Sequence, residues 1–252
     1  MVGVSLKLHL GYEESRTWMQ QVRAHADRVP EGALFVLPSF PLLPLAADLF
    51  VDTGIRYGAQ NAHSAQRGAF TDEVSPAMLA ELGCTHVEIG HAERRALFGE
   101  TDAVVAAKMR AVAEVGLTPV LCVGEQQEGP LAEAIDVVRT QLDRALVEFP
   151  IAAPLIVAYE PVWAIGVDNS APSERIAAVT GAIRESLDAA RHAAVLYGGS
   201  TAAGVYRDLV RASAQPQQVP DGLFVGRAAH DVAHLLDIVE EVIGHGSTQS
   251  PH

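Results

Sequence analysis

Leu155-Ile156-Val157-Ala158-Tyr159, closed by Glu160-Pro161, leads through the helix-period stretch Ser173 to Ala190 into Val195-Leu196-Tyr197 and then Gly198-Gly199-Ser200. Both apolar runs lack the alternation of a half-exposed strand, so each reads as a strand covered on both faces. Two such strands joined by a helix lie parallel, because the crossover needs a dozen or more residues, and the connection is right-handed. The same unit recurs along the chain. Further apolar runs stand at Val2 to Leu6, Ala33 to Leu37, Ile55 to Ala59, His86 to Ile89, Thr118 to Val123 and Leu223 to Val225. Helix-period stretches alternate with them at Ser15 to Val29, Pro41 to Val51, Ser75 to Leu82, Asp102 to Val115, Leu131 to Phe149, Thr201 to Ser213 and His230 to Ile243. Eight strands alternating with eight helices favour closure into a single (β/α)8 barrel over an open doubly wound sheet.

No Gly/Ser linker or composition shift divides the chain, so residues 1–243 read as one barrel domain and the polar stretch 244–252 as a disordered tail. Ser75-Pro76 offers a capping hydroxyl before a proline at the first helical position, and Pro172-Ser173-Glu174 a similar entry. Gln215 to Pro220 reads as an extended surface loop.

The 252 residues carry 18 Lys+Arg against 31 Asp+Glu, a net charge of -13 with His neutral. That balance, with no Lys/Arg run, argues against nucleic acid, whose binders gain from counterion release along a basic stripe. No stretch approaches the ~18 apolar residues that cross a bilayer, and no signal-peptide core is present, so neither a membrane nor export is expected and the compartment reads as cytoplasmic. Cys84 and Cys122 sit in apolar surroundings and read as small core residues. The histidines form no shell-like cluster, so no metal is expected.

In a barrel of this kind the active groups stand at the C-terminal ends of the strands. Lys7 follows the first, His91 the fourth and Glu160 the sixth. Together they offer a cation for substrate charge, a polarising hydrogen-bond donor and a base. Gly198-Gly199-Ser200 ends the seventh strand, and Gly226-Arg227 ends the eighth. Glycines let a backbone approach an anion closely, and the phosphate site of many barrels lies after these two strands.

Tyr159-Glu160-Pro161-Val162-Trp163-Ala164-Ile165-Gly166 and Glu88-Ile89-Gly90-His91-Ala92-Glu93-Arg94-Arg95, continuing through Phe98 to Asp102, are similar to segments of the triosephosphate isomerase family. Ala59-Gln60-Asn61 with Gly68-Ala69-Phe70-Thr71 resembles that family's intersubunit loop, and Leu121-Cys122-Val123-Gly124-Glu125 its fifth strand. The resemblance spans nearly the whole chain and implies a TIM barrel. It implies that Glu160 removes a proton from a phosphorylated ketose to give an enediolate, while His91 acts as a neutral donor to the developing oxyanion. Lys7 offsets phosphate and enediolate charge, with Glu93 orienting it. Pro161, Val162, Trp163, Ala164, Ile165, Gly166 and Val167 form the hinge and tip of a lid, and Gly166, Gly199, Ser200, Gly226 and Arg227 the phosphate cradle. No cofactor is required. Gln60, Asn61, Phe70 and Thr71 lie on the loop, Gln60 to Glu73, that docks beside Lys7 of a second subunit in a homodimer.

Several positions depart from that pattern. Ser5 replaces an asparagine that helps to hold the lysine and bonds across the dimer near the position of Thr71. Ala92 replaces a serine that holds the base when the lid is open. Val167-Asp168-Asn169 replaces the usual lid tip, Asp72 a usual glycine, and Arg227 the second cradle glycine, with its side chain pointing either outward or into the mouth. Ser5 together with Gly226-Arg227 resembles a branch that isomerises erythrulose phosphates, so the reading inclines to L-erythrulose 1-phosphate over dihydroxyacetone phosphate. A barrel that binds a sugar phosphate without turning it over is the third reading.

Overall fold

The computed structural model describes residues 1–167 and 170–246. Its strands are β1 (Val2–Ser5), β2 (Leu34–Leu37), β3 (Arg56–Ala59), β4 (His86–Ile89), β5 (Thr118–Val123), β6 (Leu155–Tyr159), β7 (Ala193–Gly198) and β8 (Gly222–Val225). All pair in parallel and in chain order, and β8 returns to β1 to close the barrel, Val2 lying beside both Leu34 and Leu223. The helices are α1 (Tyr12–Ala24), α2 (Leu43–Phe50), α3 (Pro76–Glu81), α4 (Ala92–Phe98), α5 (Asp102–Glu114), α6 (Leu131–Ala145), α7 (Ser173–Ser186), α8 (Val205–Ala212) and α9 (Val232–Gly246).

The apolar runs are continuous because each strand has two buried faces. One face of each packs on the helices, as Val2, Val4, Val87, Ile89, Val157 and Val225 do. The other fills the lumen, where Phe35, Leu37, Val120, Cys122, Ile156, Ala158, Leu196 and Phe224 form a separate cluster. The lumen is tight at its floor: a Cβ on Gly3 would lie 2.2 Å from the Phe35 ring. His86 also faces inward and stacks on Phe35 at 4.3 Å, and burial pushes its pKa down to about 4.

The strand bounds match the expected runs within two residues. The helices differ more. α1 begins at Tyr12 instead of Ser15, because the Glu14 carboxylate accepts from the Gly11 N–H and starts the helix early. α8 begins at Val205 instead of Thr201, because Gly204 adopts φ +98 and no helix passes through it. Ser75 caps α3 as expected, but no side chain caps α7, which starts at Ser173 behind Pro172. Gln215 to Pro220 holds a tight 3-10 turn at Pro216–Gln218 in place of an extended loop. The expected tail at 244–252 begins too early: α9 runs on to Gly246, and residues 247–252 lie outside the described residues.

Candidate functional site

Closure of the barrel brings the strand-end groups to one mouth. Lys7 follows β1 in a left-handed conformation, φ 49, which costs a non-glycine residue on the order of 1–3 kcal/mol. Its carbonyl is held by the Ser39 hydroxyl and by the Gln60 amide, each at 3.1 Å. Its Nζ donates to Glu93 Oε1 at 2.7 Å, so the twisted backbone and the ion pair together fix the ammonium.

His91 caps α4. Its Nδ1 accepts the Glu93 N–H at 3.1 Å, which leaves Nδ1 without a proton and puts the ring hydrogen of the neutral form on Nε2. Nε2 points inward, 3.7 Å from Glu160 Oε2. Both atoms are buried, and neither has a hydrogen-bond partner among the described residues.

Glu160 follows β6, and its N–H donates to the Val123 carbonyl at 2.8 Å. Gly198 makes room for it: a Cβ there would come within 2.8 Å of Glu160 Cγ. Burial pushes its pKa up to about 7, with Glu93 adding to the rise while Lys7 and the Cys122 thiol oppose it. Cys122 is buried as expected, but it also faces polar partners, its Sγ lying 3.9 Å from Glu88 Oε1. Ser5 is buried and donates to Glu88 Oε2 at 2.8 Å.

A cavity of about 740 Å³ opens above these groups, lined by Lys7, Glu93, Gly166, Gly199, Ser200, Gly226 and Arg227 among others. The Arg227 side chain turns toward the expected lid segment, where its Nη2 donates to the Gly166 carbonyl at 2.5 Å. Ser200 also engages the lid. Its N–H donates to the Ala164 carbonyl at 2.9 Å and its hydroxyl to the Val167 carbonyl, so the N–H expected to face an anion faces the lid instead. Asp168 and Asn169 at the expected tip lie outside the described residues.

The expected lid segment is flanked on both sides by anchoring groups to which the sequence reading gave no role. Buried Glu125 accepts from Trp163 Nε1 at 3.0 Å, from the Tyr159 hydroxyl at 3.2 Å and from Arg175 Nη2 at 2.9 Å, while its carbonyl accepts the Val162 N–H. At the other end, the Tyr197 hydroxyl meets Ser170 Oγ at 2.9 Å and the Ala171 N–H at 3.3 Å.

Gln60 and Asn61, at the start of the expected intersubunit loop, are bonded within their own chain. Gln60 donates to Lys7 and Leu37 carbonyls of its own chain, and buried Asn61 accepts from Lys108 Nζ at 2.8 Å. Phe70 and Thr71, further along, are exposed, with Phe70 resting on the His63 ring at 4.1 Å.

Comparison with known proteins gives a consistent picture. The family model described as triosephosphate isomerase matches residues 1–242. The L-erythrulose-1-phosphate isomerase of Pectobacterium atrosepticum is 43% identical, with 95% of this chain and 94% of the relative covered. The triosephosphate isomerase of Thermus thermophilus is 38% identical over 95% and 97%, and the L-erythrulose-1-phosphate isomerase of Rhizobium etli is 38% identical over 99% and 95%. The crystal structure of triosephosphate isomerase from Bartonella henselae superposes with a TM-score of 0.80 at 30% identity, covering 96% of this chain and 98% of that one.

Proposed function

This chain belongs to the triosephosphate isomerase family and is an isomerase, and we propose that it moves the carbonyl of a small phosphorylated ketose by proton transfer without a cofactor, with L-erythrulose 1-phosphate as substrate. The observation that carries this is the pairing of Glu160 Oε2 with His91 Nε2, buried, 3.7 Å apart and without hydrogen-bond partners among the described residues. A carboxylate poised near neutrality beside a ring N–H is a base next to a donor, which is what shifting a carbonyl requires.

In this reading Glu160 takes the proton from C3 of the ketose. The C–H electron pair forms the C2–C3 double bond of an enediolate, and the C2 oxygen accepts from His91 Nε2–H. His91 passes its Nε2 proton to the C2 oxygen and takes up the proton of the C3 hydroxyl, and Glu160 returns the carbon-bound proton to C2, leaving C2 as an alcohol and C3 as the ketone. One carbon is reduced, its neighbour is oxidised, and the phosphate stays on C1. Lys7, fixed by Glu93, offsets the anionic charge. The backbones of Gly166, Gly199, Gly226 and Arg227, with Ser200 once its lid bonds exchange, surround the phosphate. Arg227 bridges to Gly166 and draws the lid over it, excluding water from an intermediate that would otherwise expel phosphate.

Two relatives named L-erythrulose-1-phosphate isomerase support the four-carbon substrate. So does Ser5, shorter than the family's asparagine, which widens the site beside Lys7. Dihydroxyacetone phosphate is the second reading, supported by the Thermus thermophilus relative. A homodimer completes the proposal. Exposed Leu8, Leu97 and Phe98 border a cavity of about 480 Å³ that also reaches Lys7 and His91, and the exposed Phe70-Thr71 tip of a second copy suits it in size and polarity.

A panel of three- and four-carbon sugar phosphates tests the substrate. The expected result is a kcat/KM on L-erythrulose 1-phosphate at least tenfold above that on dihydroxyacetone phosphate. A value on the triose near the diffusional ceiling of ~10⁸ M⁻¹s⁻¹, with no turnover of the four-carbon ketose, overturns it.

A further inference from the structure

A second buried carboxylate lies under the reacting groups. Glu88 is the third residue of β4 and faces the lumen with 3% of its surface exposed. Its Oε2 accepts from the Ser5 hydroxyl at 2.8 Å, and its Oε1 stands 3.9 Å from both His91 Nε2 and Cys122 Sγ. Glu160 approaches the same His91 nitrogen at 3.7 Å, so the imidazole N–H sits between two carboxyl groups, only one of which the proton transfer uses.

Folding gives no reason for Glu88. Its register partner on β5 is the apolar Val120, the lumen around the strands is filled by apolar side chains, and a buried acid without a basic partner is less stable than an apolar residue of similar size. No Lys or Arg bonds it among the described residues. One hydroxyl and one distant thiol leave most of its acceptor positions unfilled. Burial raises its pKa above the usual carboxyl range; His91, Ser5 and Lys7 oppose the rise and Glu160 adds to it. Buried Glu88 and Ser5 line the 480 Å³ cavity at its inner end beside His91, whereas the exposed Leu8, Leu97 and Phe98 on which a second copy would seat form its rim, so the spare acceptor oxygens face the end nearest the reacting groups.

The layout of the mouth says what could reach them. The phosphate cradle lies over β7 and β8, and the reacting carbons lie between Glu160 and His91. The far end of the substrate therefore points past His91, toward β1 and β4. A triose phosphate ends at the reacting carbons, whereas a four-carbon ketose phosphate carries one more group there, a hydroxymethyl. We propose that Glu88, braced by Ser5, is a specificity residue that accepts a hydrogen bond from this terminal hydroxyl. The inference rests on the four-carbon reading above and adds the group that recognises the fourth carbon. A site built to bond a substrate hydroxyl discriminates strongly against the analogue without it, because the buried acceptor is then left unpaired.

The test compares L-erythrulose 1-phosphate with its 4-deoxy analogue, which lacks only that hydroxyl, in the full-length protein. In the wild type the ratio of the two kcat/KM values is expected to be roughly tenfold to a hundredfold, and in Glu88→Leu to collapse toward one. Should Glu88→Leu not fold, Ser5→Ala, which removes a single hydroxyl, is expected to lower the ratio below the wild-type value. A wild-type ratio of one, or a ratio unchanged in both variants, refutes the role of Glu88 while leaving the four-carbon reading intact. Absence of wild-type turnover of L-erythrulose 1-phosphate refutes that reading itself, and the role of Glu88 with it.

Discussion

Glu160 shows how one side chain links folding to reactivity. Burial holds its pKa at about 7 against a usual carboxyl value of 4.5, and the nearby Lys7 ammonium does not bring it back down. The proposed base is thus half ionised near neutral pH, so kcat/KM should rise with pH, level off above about 7, and report one ionisation on the acidic limb. The same shift has a stability consequence of opposite sign. A carboxyl whose folded pKa is raised contributes stability that is fully present below about 4.5 and lost as pH climbs through 7. Keeping it ionised in the folded protein at pH 8 therefore costs up to roughly 3 kcal/mol. Glu160→Gln should raise Tm at pH 8, leave it nearly unchanged at pH 4, and abolish exchange of solvent deuterium into substrate. An equal Tm shift at both pH values refutes the electrostatic origin. At this scale Lys7, His91 and Glu160 were legible as candidates because each polar residue stands within two positions of the end of an apolar run. Glu88 was not legible, since it lies inside a run and only the strand's facing shows that it points into the lumen.

The proposed lid, from Pro161 to Val167, depends on the contacts made on either side of it. At the first end, the buried Glu125 carboxylate gathers Trp163, Tyr159 and Arg175, and at the second the Tyr197 hydroxyl holds Ser170 and Ala171. Removing Glu125 would strand the Arg175 charge, so Trp163→Phe is the cleaner probe, deleting the indole N–H with the five-membered ring while keeping an aromatic side chain. Loss of one hydrogen bond to a charged group, about 1.5 kcal/mol, should lower kcat roughly tenfold. Phosphate released per turnover should rise as the lid covers the intermediate less well, with Tm moving by only a degree or two. Unchanged phosphate release would show that this hinge contact does not govern closure. The hinge segment itself was readable from Glu160-Pro161-Val162-Trp163, but its anchors lie 38 and 27 residues away along the chain, a separation that local periodicity does not see. Strands were legible for the converse reason. Burial on both faces writes an unbroken apolar run, whereas the helix starts at Tyr12 and Val205 were decided by a Glu14 bond and by the φ of Gly204.

Across the whole molecule, a net charge of -13 surrounds the proposed anion site, and in that reading the attraction comes from Lys7, Arg227 and backbone dipoles at one mouth. Lys7 sits in a conformation that its own side chain disfavours, restrained from behind by Ser39 and Gln60. On its open side stand Leu8, 90% exposed, Leu97 at 75% and Phe98 at 66%, a concentration of apolar surface unusual for an isolated barrel. A second copy presenting Phe70 and Thr71 would cover this face and restrain Lys7 from the front, so assembly and catalysis should fail together. Phe70→Asp places a charge on the proposed contact without touching the mouth of its own subunit, whose groups it does not meet. Sedimentation velocity is expected to show a shift from dimer to monomer at micromolar concentration. Activity per subunit should fall at least a hundredfold at low concentration and recover as concentration rises, because the wild-type geometry returns whenever the dimer reforms. A monomer with full, concentration-independent activity would mean that Ser39, Gln60 and Glu93 suffice to hold Lys7, and that the exposed leucines serve another purpose.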